Sequence, residues 1–183
     1  MATVLVPLAQ GCEELEAVTI MDLLVRAGID VVSASLDEKP VKASRGTVLL
    51  ASTTINKVKA EDLDMIVLPG GLPGADNLRH DPYIQNLITQ LNDKNKPIAA
   101  ICAAPKILAL AGLLNGKKAT AFPGTLEELK LKKIQIDHTQ AVIKDGNIIT
   151  SRGPGTAMDF ALELIAILCG SVKRKEIESA LQR

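Results

Sequence analysis

The sequence predicts an α/β fold in which a mostly parallel sheet is covered by helices on both faces. The main observation is that short, continuously apolar, β-branched segments alternate with segments of helical periodicity along the whole chain. In addition, no repeat, low-complexity tract or linker divides the 183 residues. We therefore expect residues 1–183 to form a single domain.

The predicted elements follow one another in regular order. A strand at 3–9 precedes a helix at 13–27, which has apolar residues at helical spacing and ends before a glycine. A β-branched strand follows at 29–35, and residues 41–52 predict two short strands around a Ser-Arg-Gly turn. Residues 64–71 predict a buried strand that continues into a glycine turn.

The second half of the chain continues this alternation. In order, it predicts a helix at 82–91, a buried strand at 96–102, a helix at 105–114, a strand at 117–122, a short helix at 125–130, a hairpin at 141–150, an apolar helix at 156–169 and an amphipathic helix at 173–181. In parallel sheets, sites form in the loops at the carboxyl ends of the strands. The segments that this rule brings together are 10–16, 69–76, 102–105 and 121–124.

The composition excludes several classes of partner. Lys plus Arg and Asp plus Glu both number 21, and aromatic residues make up only 2%, so neither charge nor stacking favours nucleic acid or an anionic membrane. The N-terminal segment lacks a basic signal-peptide start, and no apolar run reaches membrane-spanning length. Three widely spaced cysteines form no zinc pattern and suggest reduced thiols, and no nucleotide-phosphate motif occurs. We expect a cytoplasmic protein that uses no metal or cofactor.

Cys102 occupies the junction between a predicted strand and the helix that begins near Pro105. The unpaired N–H groups and the dipole of a helix start favour a thiolate over a thiol, and a sharp strand-to-helix turn presents the sulfur outward. The serine pattern G-x-S-x-G of hydrolases is absent. A small buried hydrophobe is the alternative explanation for a free cysteine at this position. The residues by themselves leave both interpretations open.

Two neighbouring loops supply candidate partners for this sulfur. The turn at Pro69–Gly71 leaves backbone N–H groups free for an oxyanion hole, although an ordinary turn explains the same residues. Glu13, Glu14 and Glu16 open the first helix, where acidic residues complement the helix dipole. If Leu15 packs inward, Glu16 reaches the same crevice, where a carboxyl buried beside a thiolate keeps its proton.

The histidines and the other two cysteines are weaker candidates. His80 precedes a proline-initiated helix and is expected to cap it, and His138 lies in a polar connection, so a Cys–His dyad is disfavoured. Cys12 and Cys169 are both expected to be packed thiols of the core.

Four motifs are distributed over essentially the whole chain. They are GCEELEAVT (11–19), VLPGGLPGADNL (67–78), AAICAAP (99–105) and TSRGPGTAMDFAL (150–162). Together they resemble the DJ-1/ThiJ/PfpI superfamily, most of all its DJ-1 branch with the bacterial YajL-like members. The resemblance implies a flavodoxin-like α/β sandwich that is normally a homodimer, with Arg26 and Arg45 near the dimer interface.

The resemblance also implies roles for individual residues. Cys102 corresponds to the reactive cysteine of the family, and Glu16 corresponds to the protonated glutamate in contact with its sulfur. Gly71 and Ala103 supply the backbone N–H groups beside it, and residues 151–156 shape the neighbourhood of the site.

Two departures from the family pattern bear on the activity. Phe122 stands where some members have a histidine near the site, and Ala103 stands where the protease-like branch has a histidine directly after the cysteine. Both departures disfavour peptide-bond hydrolysis, because a poor amine leaving group needs a strong proton shuttle.

The family is associated with glyoxalase activity on methylglyoxal, with deglycase activity on its early protein adducts, with oxidative-stress protection and with chaperone activity. We therefore expect a cofactor-independent carbonyl-processing stress protein of the glyoxalase/deglycase type, whose substrate is a small aldehyde or a glycated protein. The alternative is a non-enzymatic redox sensor and oxidative-stress chaperone that uses the same cysteine.

Overall fold

The computed structural model describes residues 1–183. The strands are β1 (Thr3–Leu8), β2 (Asp30–Ser35), β3 (Val41–Lys42), β4 (Val48–Leu49), β5 (Thr53–Thr54), β6 (Met65–Leu68), β7 (Ile98–Ile101), β8 (Lys118–Ala119), β9 (Gln135–Ile136), β10 (Val142–Asp145) and β11 (Ile148–Ser151). The α-helices are α1 (Glu14–Arg26), α2 (Gly74–His80), α3 (Pro82–Asp93), α4 (Pro105–Leu110), α5 (Ala157–Cys169) and α6 (Ser171–Ala180). Short 3₁₀ helices cover Ile55–Lys57, Ala60–Asp62, Glu127–Leu129 and Pro154–Thr156.

Seven of the strands form the central sheet, in the order β10-β11-β7-β6-β1-β2-β5. All neighbouring pairs in this sheet are parallel except β10 and β11, which form an antiparallel hairpin. Two small sheets lie outside it: the antiparallel pair β3–β4 and the parallel pair β8–β9. The predicted α/β class with a mostly parallel sheet of flavodoxin-like topology is therefore confirmed.

Alternate residues of the central strands enter two separate cores. In β1, Val4 and Val6 pack with residues of α1 and α5 on one face, whereas Leu5 packs with residues of α3 and α4 on the other. Successive side chains of a strand point to opposite faces, so a strand covered on both sides needs an apolar residue at every position. This requirement explains the continuous apolar runs of the sequence.

The carboxyl ends of the central strands meet at one edge of the sheet. Leu68 at the end of β6 pairs with Ala100 of β7, and Ser151 at the end of β11 pairs with Ile101 of β7. Because these strands are parallel and in register, the loops that follow them lie side by side. The edge predicted from the strand order therefore contains the turn at Cys102.

Several elements differ from the sequence-based expectation. The helix predicted at 105–114 already ends at Leu110, because the chain turns there and both Gly112 and Gly116 adopt a φ of 77°. The segment 74–80 forms helix α2 although it begins with a glycine and is too short to show helical periodicity. The strand predicted at 117–122 is reduced to Lys118–Ala119, and its partner β9 was not predicted.

Two predictions about single residues near helix ends are wrong. Cys169 is exposed, because it is the last residue of α5 and lies beyond the apolar stripe that faces the sheet. The cap of α3 is Asp81 and not His80: the Asp81 carboxylate accepts hydrogen bonds from the N–H groups of Tyr83 (2.9 Å) and Ile84 (3.0 Å). Cys12, by contrast, is buried as predicted.

None of the six helices combines the length and the apolarity needed to cross a bilayer.

Candidate active site

Cys102 directly follows β7 and adopts a left-handed backbone conformation, with a φ of 62°, which is uncommon outside glycine. The Cys102 N–H donates to the carbonyl oxygen of Ser151 (3.0 Å), and the Phe122 N–H donates to the carbonyl oxygen of Cys102 (2.9 Å). These two bonds hold the turn against a backbone strain of roughly 1–3 kcal/mol. The predicted sharp turn between strand and helix is therefore confirmed.

The half-buried Cys102 faces a cavity of about 300 Å³. Its lining consists of Glu13, Ser44, Arg45, Gly71, Leu72, Cys102, Ala103, Phe122, Thr125 and Pro154. The residues come from loops that are distant in sequence and are brought together at the carboxyl edge of the sheet. We call this space the cysteine cavity.

The double glycine after β6 lets the backbone approach the sulfur. A Cβ atom on Gly70 would lie 2.6 Å from the Cβ atom of Cys102 and 2.8 Å from Oε2 of Glu16. Gly71 has a φ of 87°, and a Cβ atom there would lie 2.4 Å from a backbone nitrogen of the loop before α1. In this arrangement the backbone N–H groups of Gly71 and Ala103 interact with the Cys102 sulfur and stabilise its thiolate.

Glu16 lies in the first turn of α1, and its side chain is fully buried. Its Oε2 atom accepts a hydrogen bond of 2.8 Å from the N–H of Gly70. Its Oε1 atom is buried without a hydrogen-bond partner of regular geometry, although the Cys102 thiol is close enough to interact with the carboxyl group.

The neighbouring Leu15 is 51% exposed, so the expected inward packing of Leu15 is wrong. Glu16 itself shares the buried face of α1 with Ile20.

Glu16 and Cys102 are buried side by side, and each group affects the pKa of the other. Burial raises the pKa of Glu16 from its usual 4.5 to about 7. Burial also raises the pKa of the Cys102 thiol, and negative charge on Glu16 raises it further, which outweighs the lowering effect of the adjacent backbone N–H groups. Because two adjacent buried anions are disfavoured, the two groups titrate as one unit.

This result corrects the expectation that the start of α4 makes Cys102 a thiolate. Helix α4 has only six residues, and its first residue, Pro105, has no N–H group to offer. Desolvation of the sulfur and the negative charge on Glu16 outweigh the backbone N–H groups that favour the thiolate. The charge on Cys102 depends on where the shared proton resides.

The two arginines occupy different surroundings. Arg45 lies at the rim of the cysteine cavity, where its Nε atom is 3.7 Å from Oε2 of Glu13, and Ser44 donates to the same oxygen at 2.8 Å. Arg26 lies away from the cavity and pairs with Asp22 at 2.6 Å on the exposed surface of α1. The site therefore contains Arg45 and does not contain Arg26.

Sequence reasoning did not assign a function to several residues that build the site. Thr125 lines the cavity, Ser44 bonds Glu13 at its edge, and the N–H of Gly70 holds Glu16, a partner that was not predicted for this turn. A Cβ atom on Gly153 would lie 4.0 Å from the Cys102 sulfur, so the 151–156 segment shapes the site as the resemblance implied. The double glycine was the only local signal, because the other contacts depend on tertiary structure.

Neither histidine lines the cysteine cavity. His80 is exposed at the end of α2, and His138 pairs through Nε2 with the Glu127 carboxylate at 2.5 Å. The arrangement therefore provides no Cys–His dyad. No group of three or more His, Cys, Asp or Glu side chains is arranged to hold a metal ion.

A doubly wound sheet with a strained cysteine turn and a buried glutamate beside the cysteine defines this chain as an α/β protein with a cysteine–glutamate site at the carboxyl edge of the sheet. The chain belongs to the DJ-1/PfpI family, whose family model matches residues 2–167. The superfamily predicted from the four motifs is therefore confirmed, and the placement among the bacterial YajL-like members stays a prediction.

Three relatives illustrate the similarity. Protein dj-1beta of Drosophila melanogaster is 40% identical over 97% of this chain and 95% of that protein, and its crystal structure matches with a TM-score of 0.93 over 99% of this chain and 97% of that chain. Protein DJ-1 homolog B of Arabidopsis thaliana is 42% identical over 97% of this chain, which spans only 40% of that longer protein. Glutathione-independent glyoxalase DJR-1.2 of Caenorhabditis elegans is 32% identical over 96% of this chain and 92% of that protein.

The raised pKa of Glu16 predicts a pH-dependent stability. The folded state binds the Glu16 proton more tightly than the unfolded state, so this group stabilises the fold most below pH 4.5. Its contribution decreases as the pH rises to about 7, by about 3 kcal/mol in total. We expect Glu16→Gln, which resembles the protonated form, to remove this component from the free energy of urea unfolding measured between pH 4.5 and 8.

The exposed Glu38 provides the control, and Glu38→Gln should keep the pH profile of the wild type. Equal pH slopes in the wild type and Glu16→Gln would contradict the raised pKa of Glu16.

Proposed function

We propose that this chain is a cofactor-independent, cysteine-dependent enzyme that converts an α-oxoaldehyde such as methylglyoxal to a 2-hydroxy acid. The observation that carries the proposal is the buried Glu16 carboxyl group, which interacts with the Cys102 side chain and whose Oε1 atom has no regular hydrogen-bond partner. A carboxyl oxygen without a donor is a favourable place for a proton. A proton on Oε1 leaves the sulfur free to be a thiolate.

The neighbouring backbone supports the thiolate in this state. The N–H groups of Gly71 and Ala103 stabilise negative charge on the sulfur, and protonation of Glu16 removes the repulsion that disfavours it. In this proposal Cys102 forms a thiolate while Glu16 holds the proton, and the two N–H groups act against the burial of the sulfur. Glu16 is poised to exchange a proton because its pKa of about 7 lies near neutral pH.

The first step is the addition of the thiolate to the aldehyde carbon. A C–S bond forms, the carbonyl π-bond breaks, and the resulting oxyanion takes the proton of Glu16, which gives a hemithioacetal and the Glu16 carboxylate. The cysteine cavity holds backbone N–H groups that stabilise the developing oxyanion. Phe122 and Leu72 in its wall reduce the access of water to the adduct.

Glu16 then moves a proton between adjacent carbons. As a carboxylate it removes the proton from the carbon that carries the sulfur, and the enediol that forms is reprotonated on the neighbouring carbon. The product is a thioester of the 2-hydroxy acid with Cys102. One water molecule hydrolyses this thioester, which releases the acid and returns the thiol.

The relatives and the cysteines support the proposal. A protein 32% identical to this chain is named a glutathione-independent glyoxalase, and we extend the reaction to aldehydes released from early adducts on proteins, which is a deglycase activity. All three cysteines are free thiols. We therefore place the activity in the cytoplasm, as part of the protection against carbonyl and oxidative stress.

A redox sensor and stress chaperone is the second candidate function. Cys102 is half-buried next to two N–H donors and a carboxyl proton, which together stabilise the oxygens of a sulfinate. Two molecules of peroxide convert the thiolate to this state, and each supplies one oxygen atom. The same site therefore supports an oxidation switch that involves no turnover.

We further propose that the chain forms a homodimer through α1 and the β3–β4 hairpin. Val18 on α1 is 44% exposed, and Val48 and Leu50 of the hairpin region are 60% and 78% exposed. The Glu14 carboxylate binds the N–H of Arg45 at 3.0 Å and thereby fixes the hairpin against α1. Isologous packing of such a surface would place Arg45, and with it the rim of the cysteine cavity, near the partner.

Turnover of methylglyoxal tests the catalytic roles. We expect Cys102→Ser to abolish formation of the 2-hydroxy acid, followed by NMR, because the nucleophile is lost. We expect Glu16→Gln to lower kcat by about 100-fold or more, because an amide cannot exchange the proton. Cys169→Ser, which alters an exposed thiol, is the control and should keep wild-type turnover. Unchanged turnover in Glu16→Gln would reduce Glu16 to a structural residue.

A peroxide titration separates the two functions. As the Cys102 peptide gains two oxygen atoms in mass spectrometry, an enzyme that needs the thiolate should lose its aldehyde turnover in proportion, because a sulfinate does not attack carbonyls. A chaperone should keep or gain the ability to suppress aggregation of a heat-denatured client in the same samples. Turnover that survives complete oxidation of Cys102 would disprove the thiolate mechanism.

Light scattering tests the dimer. We expect the wild type to have the mass of two chains at micromolar concentration and Leu50→Glu to have the mass of one, because a buried unpaired charge opposes association. Val172 is 80% exposed on α6, so Val172→Glu is a matched control that should remain dimeric. A monomeric wild type would exclude any role of the partner at the site.

A further inference from the structure

A second cavity, of about 500 Å³, adjoins the cysteine cavity. We call it the side cleft. Leu72, Ala103, Phe122 and Thr125 line both cavities, so these residues form a shared wall between the two spaces next to Cys102. The side cleft is the larger of the two. An electrophile with a single methyl substituent uses only a small part of the combined space.

The walls of the side cleft contain large apolar side chains that the fold leaves unburied. Leu72 is 59% exposed, Phe122 is 51% exposed and Leu110 is 46% exposed. Phe122 is one of only three aromatic residues in the chain. Large apolar side chains grouped around a concave site indicate a binding surface for an apolar group, because their exposure is unfavourable in the free protein.

The positive and negative charges of the residues that line the side cleft are equal in number. Lys106 pairs with Asp76 at 2.6 Å, and its side chain is only 17% exposed. Arg79 and Glu128 add one positive and one negative charge, so the lining is neutral overall. Neither an anionic nor a cationic substituent is favoured by charge, and the apolar walls determine the selectivity.

The wall between the two cavities is held in place before any ligand binds. The Phe122 N–H is bonded to the carbonyl oxygen of Cys102 at 2.9 Å, and the Thr125 N–H is bonded to the carbonyl oxygen of Phe122 at 3.0 Å. The Phe122 ring also packs against the 151–156 loop, where its Cδ2 atom would lie 3.3 Å from a Cβ atom on Gly153. A preformed wall reduces the ordering entropy of binding.

We propose that the side cleft binds an uncharged alkyl or aryl substituent of the electrophile that Cys102 attacks. The chain thereby prefers α-oxoaldehydes with a bulky apolar substituent over methylglyoxal. The statement about substrates rests on the proposed function. The statement about binding beside Cys102 requires only that the sulfur reacts.

Alkylation of Cys102 tests the binding statement without turnover. The probes are 2-chloroacetamide and N-benzyl-2-chloroacetamide, and the rate of modification of the Cys102 peptide is measured by mass spectrometry. The ratio of the two rates is divided by the same ratio for N-acetylcysteine in solution. This division corrects for the difference in intrinsic reactivity between the two probes. We expect a corrected preference for the benzyl probe on the order of tenfold in the wild type.

Three variants locate this preference. Leu110→Gln changes a half-exposed residue that lines the side cleft and not the cysteine cavity, and Phe122→Ala removes the shared wall. We expect both to bring the corrected ratio close to one. Val172→Gln, which changes an exposed apolar residue on α6, is the matched control and should keep the wild-type ratio. Circular dichroism verifies that each variant is folded.

The outcomes separate this inference from the proposed function. A corrected ratio near one in the wild type, or a preference that survives in both folded side-cleft variants, would overturn the side cleft as the binding site. If the benzyl preference depends on Leu110 and Phe122 but no α-oxoaldehyde is turned over, the binding statement stands and the enzymatic proposal fails. If both statements hold, kcat/KM for phenylglyoxal relative to methylglyoxal should decrease by a similar factor in Leu110→Gln and Phe122→Ala.

Discussion

The geometry of the whole site depends on one strained backbone turn. Cys102 has a left-handed φ of 62°, and it retains this conformation because β11 and the Phe122 segment bind its N–H and its carbonyl group from opposite sides. The turn places Cys102 beside the loop of the double glycine and at the edge of one apolar core. Without it, Cys102 would continue the alternation of β7 and enter one of the two apolar cores, as free cysteines commonly do.

The second constraint is the burial of a carboxyl group beside that sulfur. Glu16 lies on the buried face of α1, where an apolar residue would stabilise the fold more, and only one of its two oxygens has a regular partner. The buried carboxyl group thus makes the core less stable than an apolar residue would, and it keeps a proton next to the thiol. In the proposed function, the position of this proton decides whether Cys102 is a thiol or a thiolate in a buried site that lacks both a histidine and a long helix start.

The surroundings of the sulfur then select among the reactions that such a thiolate can perform. Peptide hydrolysis is disfavoured because neither histidine lines the cavity, so no imidazole is available to protonate an amine leaving group. Addition to an aldehyde needs no leaving group and fits a site with N–H donors and one carboxyl. Oxidation by peroxide would use the same thiolate, so the two proposed functions compete for one sulfur atom. The proposed binding in the apolar side cleft would add a preference for the substituent that accompanies the reacting carbon.

The sequence by itself determined the sheet class, the order of most elements and the edge at which the site forms, because apolar periodicity and parallel topology are local or general properties. Its four motifs also pointed to Cys102 and Glu16 through the resemblance to the family. Only the tertiary structure decided that Leu15 faces solvent while Glu16 is buried, that Cys169 is exposed, and that burial raises the pKa of the Cys102 thiol despite the adjacent N–H groups. Each of these depends on which surfaces meet in space, and burial and the pKa shifts that follow from it cannot be read from spacing along the chain.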